Sequence, residues 1–245
     1  FLILTIFWMR PVSFDSFHLL PGARDLWLQV WNQWWMETAV LGLLDPFECD
    51  RVLHPDGVSL AFHALTPLNS LIAVPLRLVF GPVLAVNAVF LFAFVLSGYG
   101  AFLLAHHLTG RIGPSMLAGY IYAFSPYQFF HIRQLEHMSV QWLPFLLLFL
   151  FRMMESGRRR DALLAGLFFA LNFWTNVYFG LFSVPLVALI LAADLLARRA
   201  DRGALLASLR GWLFFTASGA LLIAPYLGKM LAFSATPGRF KVPLQ

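Results

Sequence analysis

The stretch PVLAVNAVFLFAFVLSGYGAFLLAHHL, Pro82 to Leu108, decides the fold class of this sequence. It contains no Asp, Glu, Lys or Arg and is long enough to cross about 30 Å of hydrocarbon as a helix. Of the 245 residues, 60% are apolar and only 12% are charged, whereas a soluble domain has roughly 25% charged residues. Unbroken apolar runs also differ from the alternating pattern of a membrane β-barrel. We therefore predict an all-α fold, a polytopic transmembrane helix bundle.

Further apolar runs follow this stretch along the chain. We predict about six membrane helices within 83–231, at 83–106, 114–130, 139–153, 162–176, 178–197 and 211–231. The chain opens on FLILTIFWMR, an apolar run too short to span, and ends in the polar tail ATPGRFKVPLQ. We expect a single transmembrane domain over residues 1–245 that is truncated at both ends.

The charges of the connections predict their side of the membrane. FRMMESGRRRD, from Phe151, and ARRADRGALLASLR, from Ala197, are rich in arginine, which indicates the cytoplasmic side. Residues 10–82 hold more acidic residues than arginines and are predicted to form an external loop with surface helices. Within them Leu68 to Phe80 is short and contains Pro75, so we expect an interfacial or re-entrant helix rather than a crossing.

The segment LWLQVWNQWWM, Leu26 to Met36, has tryptophans at helical spacing on one face: Trp27, Trp31, Trp34 and Trp35. Its polar residues lie away from that stripe: Gln29, Asn32 and Gln33. Because indole rings favour the headgroup level of a bilayer, the stripe predicts a helix along the membrane surface.

Polar residues also gather in SPYQFFHIRQLEHMSVQWLPF, Ser125 to Phe145, between two very apolar parts of the chain. His131, Arg133, Glu136 and His137 could bind a lipid-linked phosphate, whose charge needs neutralising in a low dielectric. An ordinary solvated loop is the alternative. The spacing HxxxxEH is not a zincin motif, so we assign no metal ligands.

Two asparagines, Asn172 and Asn176 in LNFWTNVYFG, lie near the external end of a predicted helix. They could line the same cavity as candidate substrate-binding residues, although hydrogen bonding between helices is the favoured role of such amides.

Asp25 is the candidate catalytic residue, since a carboxylate at the water–lipid boundary can act as general base on an acceptor hydroxyl. Its place directly before the Trp-bearing helix also suits an N-cap, and the two roles can coexist. Asp15 competes for the role of base from a similar position.

The arrangement of an early Asp, a Trp-bearing surface helix, LHPDGVSL and FSPYQFFHIRQLEHMSVQWLPFLLLFLFRM resembles the C-type membrane glycosyltransferase (GT-C) superfamily. It looks closest to the uncharacterised prokaryotic multi-spanning members. The resemblance implies a polyprenyl-phosphate-linked sugar donor, transfer with inversion at the external face, and a bacterial inner (plasma) membrane location. It implies that Asp25 deprotonates the acceptor and that His131 to His137 help to hold donor or acceptor. Asp25 lacks the neighbouring acid of better-known relatives, since Arg24 and Leu26 flank it.

Other functions stay open. A transporter or flippase of lipid-linked envelope precursors would carry ionisable residues at mid-depth, and a non-catalytic scaffold would tolerate loss of Asp25. The expected partners are the lipid-linked donor and membrane lipids but no nucleic acid, because the arginines cluster in short loops. The single Cys49 excludes an intrachain disulfide and a cysteine zinc cage within this sequence. No pattern indicates a cofactor, and a divalent metal stays open.

Overall fold

A computed structural model describes residues 1–10, 15, 18, 20 and 25–235 of the chain. It is a helix bundle with one two-residue antiparallel ladder, β1 (Glu48–Cys49) and β2 (Val58–Ser59). The helices are α1 (Leu2–Trp8), α2 (Asp25–Leu41), α3 (Pro67–Phe80), α4 (Pro82–Thr109), α5 (Ile112–Ala123), α6 (Pro126–Phe130), α7 (Leu135–Met138), α8 (Leu143–Ser156), α9 (Arg159–Thr175), α10 (Val177–Arg198) and α11 (Arg202–Ser234). The predicted all-α fold is confirmed.

Four helical segments within the described residues are long and apolar enough to span a membrane: Pro82–Thr109, Leu135–Ser156, Val177–Arg198 and Arg202–Ser234. The second of them contains both α7 and α8, joined by a short non-helical link. By length and composition the protein is an integral membrane protein.

The remaining predicted helices differ from the structure in length. The helix expected at 114–130 ends at Ala123, because Ser125 precedes Pro126 and takes an extended backbone conformation. Its 12 residues as α5 rise only about 18 Å. The helix expected at 162–176 is α9, with 17 residues, and it begins in the arginine-rich connection. The last helix begins before residue 211, at Arg202, where the Asp201 side chain accepts hydrogen bonds from the amides of Gly203 and Ala204.

The two arginine-rich connections and the turn between α4 and α5 gather at one end of the bundle, which we call the basic end (residues 109–112, 155–159 and 198–202). His107 Nε2 of α4 lies 3.2 Å from a carboxylate oxygen of Glu155 at the end of α8. Arg198 at the end of α10 donates a 2.6 Å hydrogen bond to the Met154 carbonyl. The ends of these helices are thereby held together, as a shared membrane side requires.

Helix α9 lies at the centre of the bundle and contacts α3, α8, α10 and α11. A Cβ at Gly166 would lie 2.8 Å from the Phe215 carbonyl oxygen, so only glycine allows α9 and α11 to cross this closely. At the other end of the bundle, Tyr226 of α11 packs against Phe173 and Phe47. The loop that carries Phe47 is therefore fixed to the ends of α9 and α11.

Helix α3 does not run through the bundle. Asn69 near its start donates a 2.8 Å hydrogen bond to Ser139, which follows α7. At its other end Phe80 leads through Gly81 directly into Pro82, the first residue of α4. Both ends therefore lie at the end of the bundle away from the basic end, as an interfacial or re-entrant helix requires.

The tryptophans of α2 do not all face the same way. Trp27 is 60% exposed, whereas Trp35 is 1% exposed and donates a 2.9 Å hydrogen bond to the Pro46 carbonyl. The polar residues Gln29, Asn32 and Gln33 are buried in the protein interior. The predicted stripe of four surface tryptophans is therefore wrong for Trp35. The loop between α2 and β1, which contains Pro46, folds back over that side of the helix and covers the indole.

Candidate active-site cavity

A cavity of about 310 Å³ lies at the end of the bundle opposite the basic end. Four segments form it: the loop before α3, the α7 segment, the junction of α9 and α10, and the end of α11. Its polar wall includes His63, Thr66, Glu136, His137 and Asn176, whereas Phe62, Val177, Leu181, Tyr226 and Met230 are among its apolar residues. The cavity thus combines a few polar groups with a largely apolar lining, as small-molecule sites usually do.

Glu136 is the carboxylate among the residues that line this cavity. Its side chain is 14% exposed, and Gln29 Nε2 donates a 2.8 Å hydrogen bond to Oε2. His137 Nδ1 lies 3.5 Å from Oε1. Asn176 Nδ2 donates a 2.6 Å hydrogen bond to the Glu136 carbonyl oxygen. Helix α7 is therefore held between α2 and α10, and its carboxylate has a fixed position.

A network of amides continues from Glu136 into α2. Gln29 Oε1 accepts a 3.1 Å hydrogen bond from Thr66 Oγ1, and Asn32 Nδ2 lies 3.5 Å from the same oxygen. Asn32 Nδ2 also donates to the Ala64 carbonyl at 2.7 Å, and Asn32 Oδ1 lies 3.0 Å from His63 Nε2. Two walls of the cavity are therefore joined through side chains that point inwards from α2.

The predicted binding residues of the stretch Ser125 to Phe145 separate into two sets. Glu136 and His137 line the cavity, whereas Arg133 is exposed outside its lining. His131 stacks between Tyr127, at 4.3 Å, and His137, at 5.6 Å between ring centroids. These rings form a surface stack that continues from the cavity through His137.

The two asparagines also have different positions. Asn176 lines the cavity and begins α10, where its side chain accepts a 2.9 Å hydrogen bond from the amide of Tyr178. Asn172 donates a 2.9 Å hydrogen bond to the Phe168 carbonyl and lines a different pocket, with Ser183 and Leu186. Asn172 therefore has a structural contact one turn back along α9 and does not reach the cavity.

Asp25 is the first residue of α2 and is exposed. It is not among the residues that line the cavity. It precedes Gln29 by one helical turn and so shares the helix face that points to Glu136. A carboxylate in the first turn also interacts favourably with the helix dipole. Asp15, the alternative base, pairs with His18 at 2.6 Å on the surface. Asp25 thus lies on the same side of α2 as Gln29 but outside the cavity lining.

One family model matches residues 12–245, that of the domain of unknown function DUF6311. The chain belongs to the DUF6311 family. No curated protein and no solved structure matches the DUF6311 chain. Within the described part of the chain, no group of three or more His, Cys, Asp or Glu side chains could hold a metal ion.

Sequence reasoning did not select four residues of the DUF6311 site: His63, Thr66, Gln29 and Asn32. The signal for two of them was present, because Gln29, Asn32 and Gln33 recur at helical spacing beside the tryptophans. The side chains of a polar stripe next to a bilayer can point outwards to water or inwards to a site, and the sequence pattern is the same in both cases. His63 and Thr66 lie in a loop without periodicity, so only the fold brings them to Glu136.

Proposed function

We propose that this DUF6311 protein is a membrane glycosyltransferase that moves a sugar from a polyprenyl-phosphate donor to an acceptor at the external membrane face. The observation that carries the proposal is the cavity at the end of the bundle away from the basic end, where a held carboxylate meets two imidazoles, an amide and an apolar wall. Such a site can accept a sugar against its polar wall and the start of a lipid chain against its apolar wall.

The proposed reaction is a single displacement. The acceptor oxygen attacks the anomeric carbon, the bond from that carbon to the phosphate oxygen breaks, and polyprenyl phosphate leaves with the bonding electrons. The acceptor proton passes to a carboxylate, and one displacement inverts the anomeric centre. A base of this kind typically contributes roughly 10²–10⁴ in rate.

We assign the base to Glu136, because it is the carboxylate that lines the cavity and Gln29 holds it in place. Asp25, which the resemblance implies as the base, is the competing candidate and lies one turn before Gln29 on α2. His137 lies beside Glu136 and is available to neutralise the leaving phosphate when protonated.

The charge distribution favours transfer over transport. Among the Asp, Glu, His, Lys and Arg residues, α4 contains His106 and His107, both in its last turn at the basic end. The charged residues of α10, Asp194 and Arg198, pair at 2.6 Å near that same end. Transport pathways instead use ionisable groups near the bilayer midplane.

The test compares carboxylate variants of the full-length protein in membrane vesicles, with radiolabelled polyprenyl-phosphate mannose, glucose and galactose as donors. We expect Glu136→Gln to lower transfer by about 100-fold or more, since the amide keeps the shape but accepts no proton. Glu155→Gln, at the basic end, is the matched control and should transfer normally.

Each other outcome has a distinct meaning. Loss of transfer in Asp25→Asn with normal transfer in Glu136→Gln would return the role of base to Asp25. Full transfer by both variants would exclude Glu136 and Asp25 as the base. Wild-type protein that moves labelled donor across the vesicle membrane without transferring sugar would be a transporter.

A further inference from the structure

His63 is the imidazole on the cavity wall that faces α2. It lies between β2 and α3, and its ring meets Trp31 of α2 edge to face at 5.9 Å between centroids. Its Nε2 lies 3.0 Å from Asn32 Oδ1. A second groove, lined by Trp31, Leu28 and Val52 among others, borders the other side of the ring.

The hydrogen bonds around Asn32 decide which ring nitrogen of His63 carries the proton. A backbone carbonyl only accepts, so the atom of Asn32 that lies 2.7 Å from the Ala64 oxygen is the amide nitrogen. The amide oxygen of Asn32 therefore faces His63. Because that oxygen also only accepts, Nε2 of His63 carries the hydrogen and donates it. The other nitrogen, Nδ1, is then left with a lone pair.

Within the described part of the chain, the hydrogen bond of the His63 ring is the Asn32 contact at Nε2, so no protein group there donates to the Nδ1 lone pair. Burial lowers the pKa of His63 below its usual value of 6.5, so the ring is neutral at pH 7. The titratable residues that line the cavity with it are Glu136, His137, Tyr178 and Tyr226. The groove on its other side is lined by residues without titratable side chains, apart from His63 itself.

We propose that His63 is a substrate-binding residue, which accepts at Nδ1 a hydrogen bond from a hydroxyl group of the sugar. This inference rests on the proposed function, because it takes a sugar to be the occupant of the cavity. Asn32 is then a positioning residue: its amide oxygen holds the tautomer that leaves Nδ1 free to accept. A cavity wall built in this way selects a ligand with a donor at that point, since a ligand without one would bury the lone pair unpaired.

Two substitutions separate the two nitrogens of the ring. His63→Gln keeps a donor near the position of Nε2 and removes the acceptor at Nδ1. His63→Asn keeps an acceptor near the position of Nδ1 and loses the contact with Asn32. His107→Gln, at the basic end, is the matched control. The probes are isoprenyl phosphates of ten carbons that carry mannose, glucose or galactose, and the monodeoxy forms of whichever sugar binds.

In binding assays with full-length protein in detergent at pH 7.5, we expect His63→Gln to bind the intact probe about fivefold to tenfold more weakly than wild type. One deoxy probe should bind wild type and His63→Gln equally, because it lacks the hydroxyl group that donates a hydrogen bond to Nδ1. His63→Asn should recover part of the affinity. Wild-type affinity should fall as the pH drops below the pKa of His63, because protonated Nδ1 no longer accepts, and His63→Gln should lack that fall.

Nitrogen chemical shifts of labelled histidine give a check that needs no ligand, with His63 assigned by its absence in His63→Gln. Protonation at Nδ1 in the neutral ring would overturn the inference, and so would equal binding of every probe by wild type and His63→Gln. Binding with the expected pattern but without transfer would overturn the proposed function alone. Transfer that does not depend on His63 would overturn this inference alone, and wild-type protein that binds none of the probes would overturn both.

Discussion

At the scale of single residues, Gln29 and Gln33 show what the sequence cannot tell. Both are 1% exposed and lie one turn apart on α2. Gln29 donates to Glu136 and accepts from Thr66, whereas the side-chain nitrogen and oxygen of Gln33 have no hydrogen-bond partner in the described part of the chain. Helical spacing predicted that the two share a side of α2. It could not predict their partners, because those come from residues distant in sequence.

This difference predicts opposite effects for the same substitution. Gln29→Met leaves Glu136 and Thr66 without their partner and should cost about 2 kcal/mol, or about 4–8 °C in the midpoint of thermal unfolding. Gln33→Met replaces unpaired polar atoms by a flexible apolar chain of similar size and should cost less than about 0.5 kcal/mol or stabilise the protein. Unfolding of full-length protein in detergent measures both. Equal losses in the two variants would show that Gln29 is only a packing residue.

At the scale of helices, the apolar runs predicted the positions of α4, α9 and α10 well, because each run ends at a residue that stops a helix or at a change to polar residues. Gly110, in a left-handed conformation, ends α4. The prediction was wrong for the end of α5, since the hydrophobic run continues through a Ser-Pro step that a helix does not cross. The hydrophobic pattern predicts which segments of the chain belong to the bundle. The backbone conformation at positions such as the Ser-Pro step then decides where one helix ends and the next begins.

An ion pair that sequence analysis did not select joins α2 to α3. Arg77 Nε of α3 donates a 2.6 Å hydrogen bond to Glu37 of α2, and their side chains are 11% and 23% exposed. Removing one partner leaves the other charge poorly solvated, which costs more than removing both. The pair therefore holds α3, and with it Thr66 at its N-terminal end, against α2.

We expect Arg77→Met and Glu37→Gln each to destabilise the protein by about 1–3 kcal/mol, and the double variant to lose less than the sum of the two. The midpoint of thermal unfolding, measured for the three variants and wild type, gives the coupling. A double variant whose loss equals the sum would show that the two side chains act independently. Arg158→Met, an exposed residue at the basic end, is the control and should change the midpoint little.

At the scale of the whole molecule, the arginines predict which end of the bundle faces the cytoplasm, and the structure places the connections that carry them at one end. The contacts from His107 to Glu155 and from Arg198 to the Met154 carbonyl place the ends of α4, α8 and α10 together. The cavity lies at the other end. Sequence could predict this separation because charge and hydropathy are properties of whole segments. It could not predict the cavity, which needs four distant segments to meet.

The predicted sidedness has a direct test in intact cells. Cys49 is the one cysteine of this sequence, so a Cys49→Ala background removes its thiol and should react little with a membrane-impermeant thiol reagent. We expect Arg133→Cys, near the cavity, and Pro82→Cys, at the start of α4, to react from outside the cell, since both positions are exposed and α3 does not cross. Glu155→Cys, at the basic end, should react only after the cells are permeabilised. External labelling of Glu155→Cys with protection of Arg133→Cys would invert the orientation and place the cavity in the cytoplasm. Labelling of Pro82→Cys on the side opposite to Arg133→Cys would instead mean that α3 crosses the membrane.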